Sequence, residues 1–178
     1  MDAIRRKAWF LDRDGTIIVD KHYIKDPDQV VLLDGVADVL REAQDMGYLL
    51  IVITNQSGIA RGYFSEEEAD LVNERLKLLL EREGIHLAKI YRCPHLPEGR
   101  PPYNIVCGCR KPGVELFRQA ILDFDLDPAR CIACGDKDRD VRRLPELGIP
   151  QRNLGIITSQ SGPGCYPNLD AFFHAAVT

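Results

Sequence analysis

The chain has 178 residues, of which 45% are hydrophobic and 28% are charged, a balance typical of a soluble globular protein with a substantial core. Its formal net charge of −4 excludes a global basic field for nucleic acid, so an anionic ligand would need a local cluster of positive groups. No apolar run approaches the roughly 20 residues of a membrane span, and only a brief apolar stretch follows segment 1–7. We therefore expect a cytoplasmic protein without a signal peptide, a nucleic-acid partner or a membrane partner.

Short apolar runs alternate with segments of helical periodicity along the chain. The apolar runs predict strands at 8–11, 49–53, 90–91, 131–133 and 154–157. Apolar residues spaced by three and four predict helices at 36–46, 65–83, 114–123 and 141–147. Alternation of strands and helices predicts one α/β domain over 1–178, with a mostly parallel sheet covered on both faces.

Two aspartates follow the first predicted strand, in the run Asp12-Arg13-Asp14-Gly15-Thr16. Residues i and i+2 of a strand end point the same way, into the crevice at the carboxyl edge of an open α/β sheet. Two anions held so close repel each other unless a cation or a proton lies between them. The alternative interpretation is an aspartate-rich surface turn.

Polar residues also follow the second and fourth predicted strands. The second is followed by hydroxyl and amide side chains that can donate hydrogen bonds to phosphate oxygens, namely Thr54, Asn55, Gln56 and Ser57. After the fourth strand, Asp136 offers a third carboxylate that, with Asp12 and Asp14, would suit Mg²⁺. Taken singly, these segments also fit an ordinary loop start and an acidic helix start.

Segment 93–111 lacks periodicity and is rich in cysteine, proline and glycine. Cys93, His95, Cys107 and Cys109 form a Cys₃His set, a closed tetrahedral shell suited to structural Zn²⁺. The alternative is three buried cysteines with an incidental histidine. Arg110 and Lys111 come next; they suit an anionic oxygen cluster such as phosphate, or else form a solvated surface pair.

The combination of four motifs resembles the haloacid dehalogenase (HAD) superfamily of phosphatases. The motifs are Asp-Arg-Asp-Gly-Thr at 12–16, Thr-Asn-Gln at 54–56, Arg-Lys-Pro at 110–112 and Gly-Asp-x-x-x-Asp at 135–140. The resemblance implies a HAD-like three-layer α/β/α sandwich without a large cap domain, in which the zinc loop 93–111 serves as a partial lid. Segment 54–62, together with that loop, is similar to the bacterial heptose 1,7-bisphosphate 7-phosphatases of lipopolysaccharide precursor synthesis. The alternatives are the histidinol-phosphate phosphatases, another small sugar-phosphate phosphatase, or a zinc-stabilised binding module without catalytic activity.

The resemblance also implies roles. Asp12 would attack phosphorus and form an aspartyl-phosphate, while Asp14 would act as general acid and then as general base. Thr54 and Lys111 would bind the phosphoryl oxygens. Mg²⁺ would be held by the Asp12 carboxylate, the Asp14 backbone carbonyl and Asp136.

The sugar-phosphate substrate would be contacted by residues on four loops of a monomeric enzyme. These residues are Asp20, Lys21, His22, Tyr23, Asn55, Gln56, Ser57, Arg110 and Lys137.

Overall fold

The computed structural model describes residues 5–178; segment 1–4, part of the region over which we expect no signal peptide, lies outside them. Six parallel strands form one sheet in the order β3-β2-β1-β4-β5-β6. Their bounds are β1 (Lys7–Leu11), β2 (Tyr48–Asn55), β3 (Leu87–Cys93), β4 (Ile132–Gly135), β5 (Leu154–Ile157) and β6 (Cys165–Tyr166). All five predicted strands are therefore confirmed, with small extensions.

Residues 5–178 also contain five α-helices, four of them in connections between strands and the last after β6, together with short 3₁₀-helices. The α-helices are α1 (Val36–Asp45), α2 (Gly58–Arg61), α3 (Glu66–Arg82), α4 (Glu115–Asp123) and α5 (Leu169–Val177). The 3₁₀-helices are Pro27–Gln29, Pro128–Arg130, Asp138–Asp140, Leu144–Leu147 and Gln151–Asn153. Within residues 5–178, no helix has the length and apolar character needed to cross a bilayer.

The core lies in two layers, because side chains of a strand alternate between the two faces of the sheet. Trp9 and Leu11 face the layer formed with α1, α3 and α5, and Trp9 stacks on Phe173 with ring centroids 5.0 Å apart. Ala8 and Phe10 face the opposite layer, where α4 covers the sheet. The predicted three-layer α/β/α sandwich is confirmed.

The predicted helix at 141–147 is wrong. The chain instead forms the two 3₁₀-helices Asp138–Asp140 and Leu144–Leu147, with Val141 and Leu144 still buried. Pro145 has no N–H to continue an α-helical ladder, and Gly148 (φ 90°) ends the segment in a left-handed conformation. Strand β6 and helix α5, in contrast, lie where no element was predicted.

The order of the strands places β1 at the topological switch point. From β1 the chain moves outward to β2 and β3 on one side, then crosses to β4, β5 and β6 on the other. In open α/β sheets the ligand crevice lies at the carboxyl ends of the strands at this point. The loops after β1, β2 and β4 therefore meet there.

Candidate active site

The turn after β1 brings the first two aspartates to the crevice. The Asp12 amide donates to the Cys134 carbonyl oxygen of β4 (3.0 Å), which ties the start of the turn to the neighbouring strand. Gly15 has φ 78°, and a Cβ atom at this position would lie 2.8 Å from Asp136 Oδ2. Glycine thus permits both the left-handed turn and the close approach of the loops after β1 and β4.

Lys111 is the centre of the charge arrangement. It is 3% exposed, and its Nζ donates to Asp12 Oδ1 (2.7 Å), Asp140 Oδ1 (2.8 Å) and the Ile53 carbonyl oxygen (2.7 Å). These three contacts use all three of its protons. Asp140, whose role the sequence left open, is 5% exposed and also accepts from the Lys137 amide (2.9 Å).

Burial controls the ionisation of this cluster. Desolvation, reinforced by the negative charge of Asp140 and opposed by Lys111, raises the pKa of Asp12 to about 7. Burial alone would lower the pKa of Lys111, but the carboxylates of Asp12 and Asp140 raise it, so the ammonium stays charged. The nucleophile candidate is therefore anionic near neutral pH only with the help of nearby positive charge.

A group of carboxylates suits a divalent cation. Oxygen atoms of Asp12, Asp136 and Asp140 lie within 4.8 Å of one another. Asp12 and Asp136 each have one carboxylate oxygen, Oδ2 and Oδ1 respectively, that accepts no hydrogen bond from residues 5–178. The lysine contacts of these two side chains go to Asp12 Oδ1 and Asp136 Oδ2. Hard oxygen donors at this separation fit Mg²⁺. The carboxylate of Asp14 lies outside this group.

Asp14 is held by two neighbours. Arg13 donates from Nε to Asp14 Oδ2 (3.1 Å) and from Nη2 to Asp14 Oδ1 (3.2 Å). Gln56 Nε2 donates to Asp14 Oδ2 and to Thr54 Oγ1, both at 2.9 Å. Gln56 therefore links the acid–base candidate to the phosphoryl-binding candidate.

The zinc ligands predicted from the sequence converge. Ligand atoms of Cys93, His95, Cys107 and Cys109 lie within 4.8 Å of one another. The sulfur atoms are 3.0–3.6 Å apart, close to the roughly 3.8 Å of a tetrahedral site with Zn–S bonds of about 2.3 Å. Burial opposes ionisation, yet hydrogen bonds from Cys109 and the Arg110 amide lower the pKa of Cys107 to about 7. The donor set fits structural Zn²⁺.

The loop 93–111 positions Lys111. The side chain of Asn55 makes two hydrogen bonds to the Lys111 backbone, accepting from its amide (2.9 Å) and donating to its carbonyl oxygen (3.1 Å). Arg110 Nη1 donates to the carbonyl oxygen of His95 (3.3 Å). The basic pair is therefore fixed between β2 and the four-ligand cluster.

Two adjoining cavities open over these groups. The smaller, about 80 Å³, is lined by Asp12, Thr54, Lys111 and Asp136 among others. The larger, about 210 Å³, includes Ser57 and Arg110. Both are lined by four shared residues: Asp14, Asp20, Asn55 and Arg139.

Most of the predicted substrate residues line these cavities. His22, Tyr23 and Gln56 line the larger cavity and Lys137 lines the smaller. Lys21 lines neither. Arg139 was not predicted, and its place three residues after Asp136 is the one signal the sequence offers.

Comparison with known proteins identifies the family of this chain. A sequence model described as polynucleotide kinase 3 phosphatase matches residues 7–163, which include all the predicted site residues. The chain belongs to that family, within the HAD superfamily of phosphatases. It is 44% identical over 150 residues to the D-glycero-beta-D-manno-heptose-1,7-bisphosphate 7-phosphatase of Haemophilus ducreyi, covering 84% of this chain and 82% of that one.

Solved structures share the fold of this phosphatase. A protein of Mesorhizobium loti, described as a HAD-like phosphatase, has a TM-score of 0.84 at 31% identity and covers 97% of this chain and 85% of its own. The D,D-heptose 1.7-bisphosphate phosphatase of B. bronchiseptica, complexed with magnesium and phosphate, has a TM-score of 0.81 at 24% identity, covering 97% and 98%. The HAD-like fold is confirmed, and the chain is a phosphoric monoester hydrolase.

Proposed function

We propose that this phosphatase removes the 7-phosphate of D-glycero-D-manno-heptose 1,7-bisphosphate through an aspartyl-phosphate at Asp12. The observation that carries the reaction is the small cavity in which Asp12, Thr54, Lys111 and Asp136 meet. The substrate is supported by the 44% identity to the Haemophilus ducreyi enzyme of that name. On this proposal the protein serves lipopolysaccharide precursor synthesis in the cytoplasm.

The nucleophile is Asp12. One of its carboxylate oxygens attacks phosphorus, the bond to the sugar oxygen breaks, and water later hydrolyses the aspartyl-phosphate. In the free enzyme Lys111 uses one of its three protons on Asp12 Oδ1 (2.7 Å). A phosphoryl oxygen bound beside the Thr54 hydroxyl would accept this hydrogen bond from Lys111 in place of Asp12. Asp12 Oδ1 would then be free to attack.

Asp14 acts as the general acid and base. It protonates the departing sugar oxygen in the first half-reaction and takes a proton from the attacking water in the second. Its carboxylate is directed by Arg13 and Gln56. Mg²⁺, held by Asp12, Asp136 and the Asp14 carbonyl, would neutralise charge on the transferring phosphoryl group.

The larger cavity receives the rest of the substrate. Arg110 and Arg139, which both line the larger cavity, supply positive charge for the second phosphate. Polar groups of the loop 20–23 and of Asn55, Gln56 and Ser57 face the sugar hydroxyls. Lys137, paired with Asp136 Oδ2 (2.6 Å), contributes beside the smaller cavity. Lys21 lines neither cavity, so it would contact the substrate only after a movement of the loop 20–23.

A structural Zn²⁺ in the Cys₃His cluster completes the proposed enzyme, which we propose acts as a monomer of one domain. The cluster supports the loop 93–111 and with it Arg110 and Lys111. The observation in favour is the closed set of four soft ligands, which leaves no open coordination position for chemistry.

The test is a screen of phosphate release with Mg²⁺ supplied. The panel contains both anomers of heptose 1,7-bisphosphate, heptose 7-phosphate, histidinol phosphate and a 3′-phosphorylated oligonucleotide. We expect the highest kcat/KM on one heptose 1,7-bisphosphate anomer and no turnover by Asp12→Asn. A higher kcat/KM on histidinol phosphate or on the oligonucleotide would overturn the substrate, and ordinary turnover by Asp12→Asn would overturn the nucleophile.

A further inference from the structure

Arg13, between the two aspartates of the first motif, is a buried cation. It is 1% exposed, although it belongs to a turn at the edge of the sheet. A guanidinium removed from water is costly unless its donors are paired, so its partners determine where it can lie. Two of its contacts go to Asp14, as described above, and form a fork on both carboxylate oxygens.

The other end of the guanidinium is held from helix α3. Arg13 Nη1 donates to Asn73 Oδ1 at 2.8 Å, and Asn73 is 6% exposed. The sequence separation between the two residues is 60, so this is a tertiary contact between the site and the middle of α3. Asn73, Arg13 and Asp14 therefore form a chain of buried or half-buried hydrogen bonds that ends at the acid–base group.

Helix formation does not explain why a buried asparagine occupies position 73 of α3. Asparagine is a poor helix former, and a buried polar side chain in a helix interior is uncommon. Its neighbours Val72 and Leu76 are both 0% exposed and belong to the apolar layer. The contact that Asn73 makes is with Arg13, which points to a role at the site.

We infer that Asn73 is a positioning residue for general acid catalysis, acting through Arg13 to fix the direction of the Asp14 carboxylate. The inference rests on the proposed role of Asp14. With Asn73 in place, the guanidinium plane is held at both ends, and the carboxylate that it grips keeps one orientation. Without Asn73 Oδ1, Arg13 has an unpaired buried donor and turns to find another acceptor. The Asp14 carboxylate then keeps only the contact from Gln56 to Oδ2 and loses its fixed direction.

The test compares the unmodified protein with Asn73→Leu on phenyl phosphate and p-nitrophenyl phosphate, in Mg²⁺. The two esters have similar shapes, but phenolate leaves poorly unless it is protonated, whereas p-nitrophenolate leaves as a stable anion. The measured quantity is kcat/KM, which covers the steps through release of the phenol and excludes later hydrolysis of the aspartyl-phosphate. We expect a loss of about tenfold on phenyl phosphate and of less than about twofold on p-nitrophenyl phosphate.

Two reference variants give this ratio its meaning. Asp14→Asn removes the acid itself and should show the same selective loss in a stronger form. Val72→Ala removes a buried apolar group from the same helix and should leave the ratio of the two kcat/KM values unchanged.

Equal losses on both esters, or no loss on either, would overturn the role of Asn73. If Asn73→Leu does not fold, Asn73→Ser is tested in the same way. The shorter serine side chain holds its oxygen farther from Arg13 Nη1 and keeps the position polar. Absence of phosphate release by the unmodified protein from both aryl esters and from both heptose 1,7-bisphosphate anomers would instead overturn the proposed function. The two failures are therefore distinguishable.

Discussion

Replacing Lys111 by Met tests the charge arrangement at the centre of the site. The substitution keeps much of the side-chain volume but removes the ammonium that contacts Asp12, Asp140 and the Ile53 carbonyl oxygen. Two carboxylates, 10% and 4% exposed at the side chain, would then face each other without a counter-charge. Removing one partner of such a buried pair costs about 3–5 kcal/mol.

The expected change is measurable by thermal unfolding. For a chain of this size about 2–4 °C is lost per kcal/mol, so the melting temperature of Lys111→Met should fall by about 6–20 °C. The buffer should contain no added Mg²⁺, which would replace the missing charge, and no EDTA, which would also remove zinc. Acidification should reduce the loss, because Lys111 no longer lowers the pKa of Asp12 and protonation removes the repulsion.

Two further variants sharpen the test. Lys137→Met breaks an exposed pair, its side chain being 57% exposed, and should cost less than about 1 kcal/mol. In Lys111→Met/Asp140→Asn one of the two uncompensated carboxylates is gone, so part of the lost stability should return. A melting temperature of Lys111→Met within about 2 °C of the unmodified protein, or no recovery in the double variant, would show that Lys111 does not offset the charges of Asp12 and Asp140.

Three other predictions follow from the same geometry. Arg139→Gln should raise KM for a sugar bisphosphate by about tenfold and leave KM for the corresponding monophosphate nearly unchanged. The control is Arg142→Gln, which should change neither KM, because Arg142 pairs with Asp138 (3.3 Å) and lines neither cavity. Zinc analysis should find about one equivalent in the purified protein, most of it lost in Cys107→Ser and retained in Cys165→Ser, which lies outside the four-ligand cluster. The apparent Mg²⁺ affinity should fall by up to about tenfold per pH unit below pH 7, because protons compete with Mg²⁺ for Asp12, whose pKa is raised to about 7. Above pH 7 the affinity should level off. An affinity independent of pH between 5 and 7 would contradict the raised pKa of Asp12.

The convergence at the sheet edge could be predicted because it follows from strand order alone. Parallel strands that alternate with helices place all their carboxyl ends on one edge, so Asp12, Thr54 and Asp136 had to meet wherever β1, β2 and β4 were neighbours. The sheet places these three strands side by side. Spacing was also enough to predict that Cys93, His95, Cys107 and Cys109 converge, because pairs two residues apart on one loop can meet without knowledge of the fold.

What the sequence could not predict depends on contacts between distant segments. Lys111 lies 99 residues from Asp12, at the end of an irregular loop, so its pairing was visible in no local pattern. The contact between Asn73 and Arg13 is hidden in the same way. The error at 141–147 has a local cause, since apolar spacing was given more weight than Pro145 and Gly148. Helix α5 was missed despite an N-cap at Asn168 and buried Phe172 and Phe173.

The position of Lys111 shows how fold stability and chemistry depend on the same contacts here. Asn55 fixes its backbone to the end of β2, and Cys109, two residues earlier, belongs to the four-ligand Cys₃His cluster. Its ammonium offsets the repulsion between Asp12 and Asp140, since burial by itself disfavours the charged form of Asp12. A loosened zinc loop would therefore do more than open the larger cavity. It would withdraw positive charge from Asp12, raise its pKa further and leave the proposed nucleophile protonated. On that proposal the loop acts on the reaction through electrostatics as well as through shape.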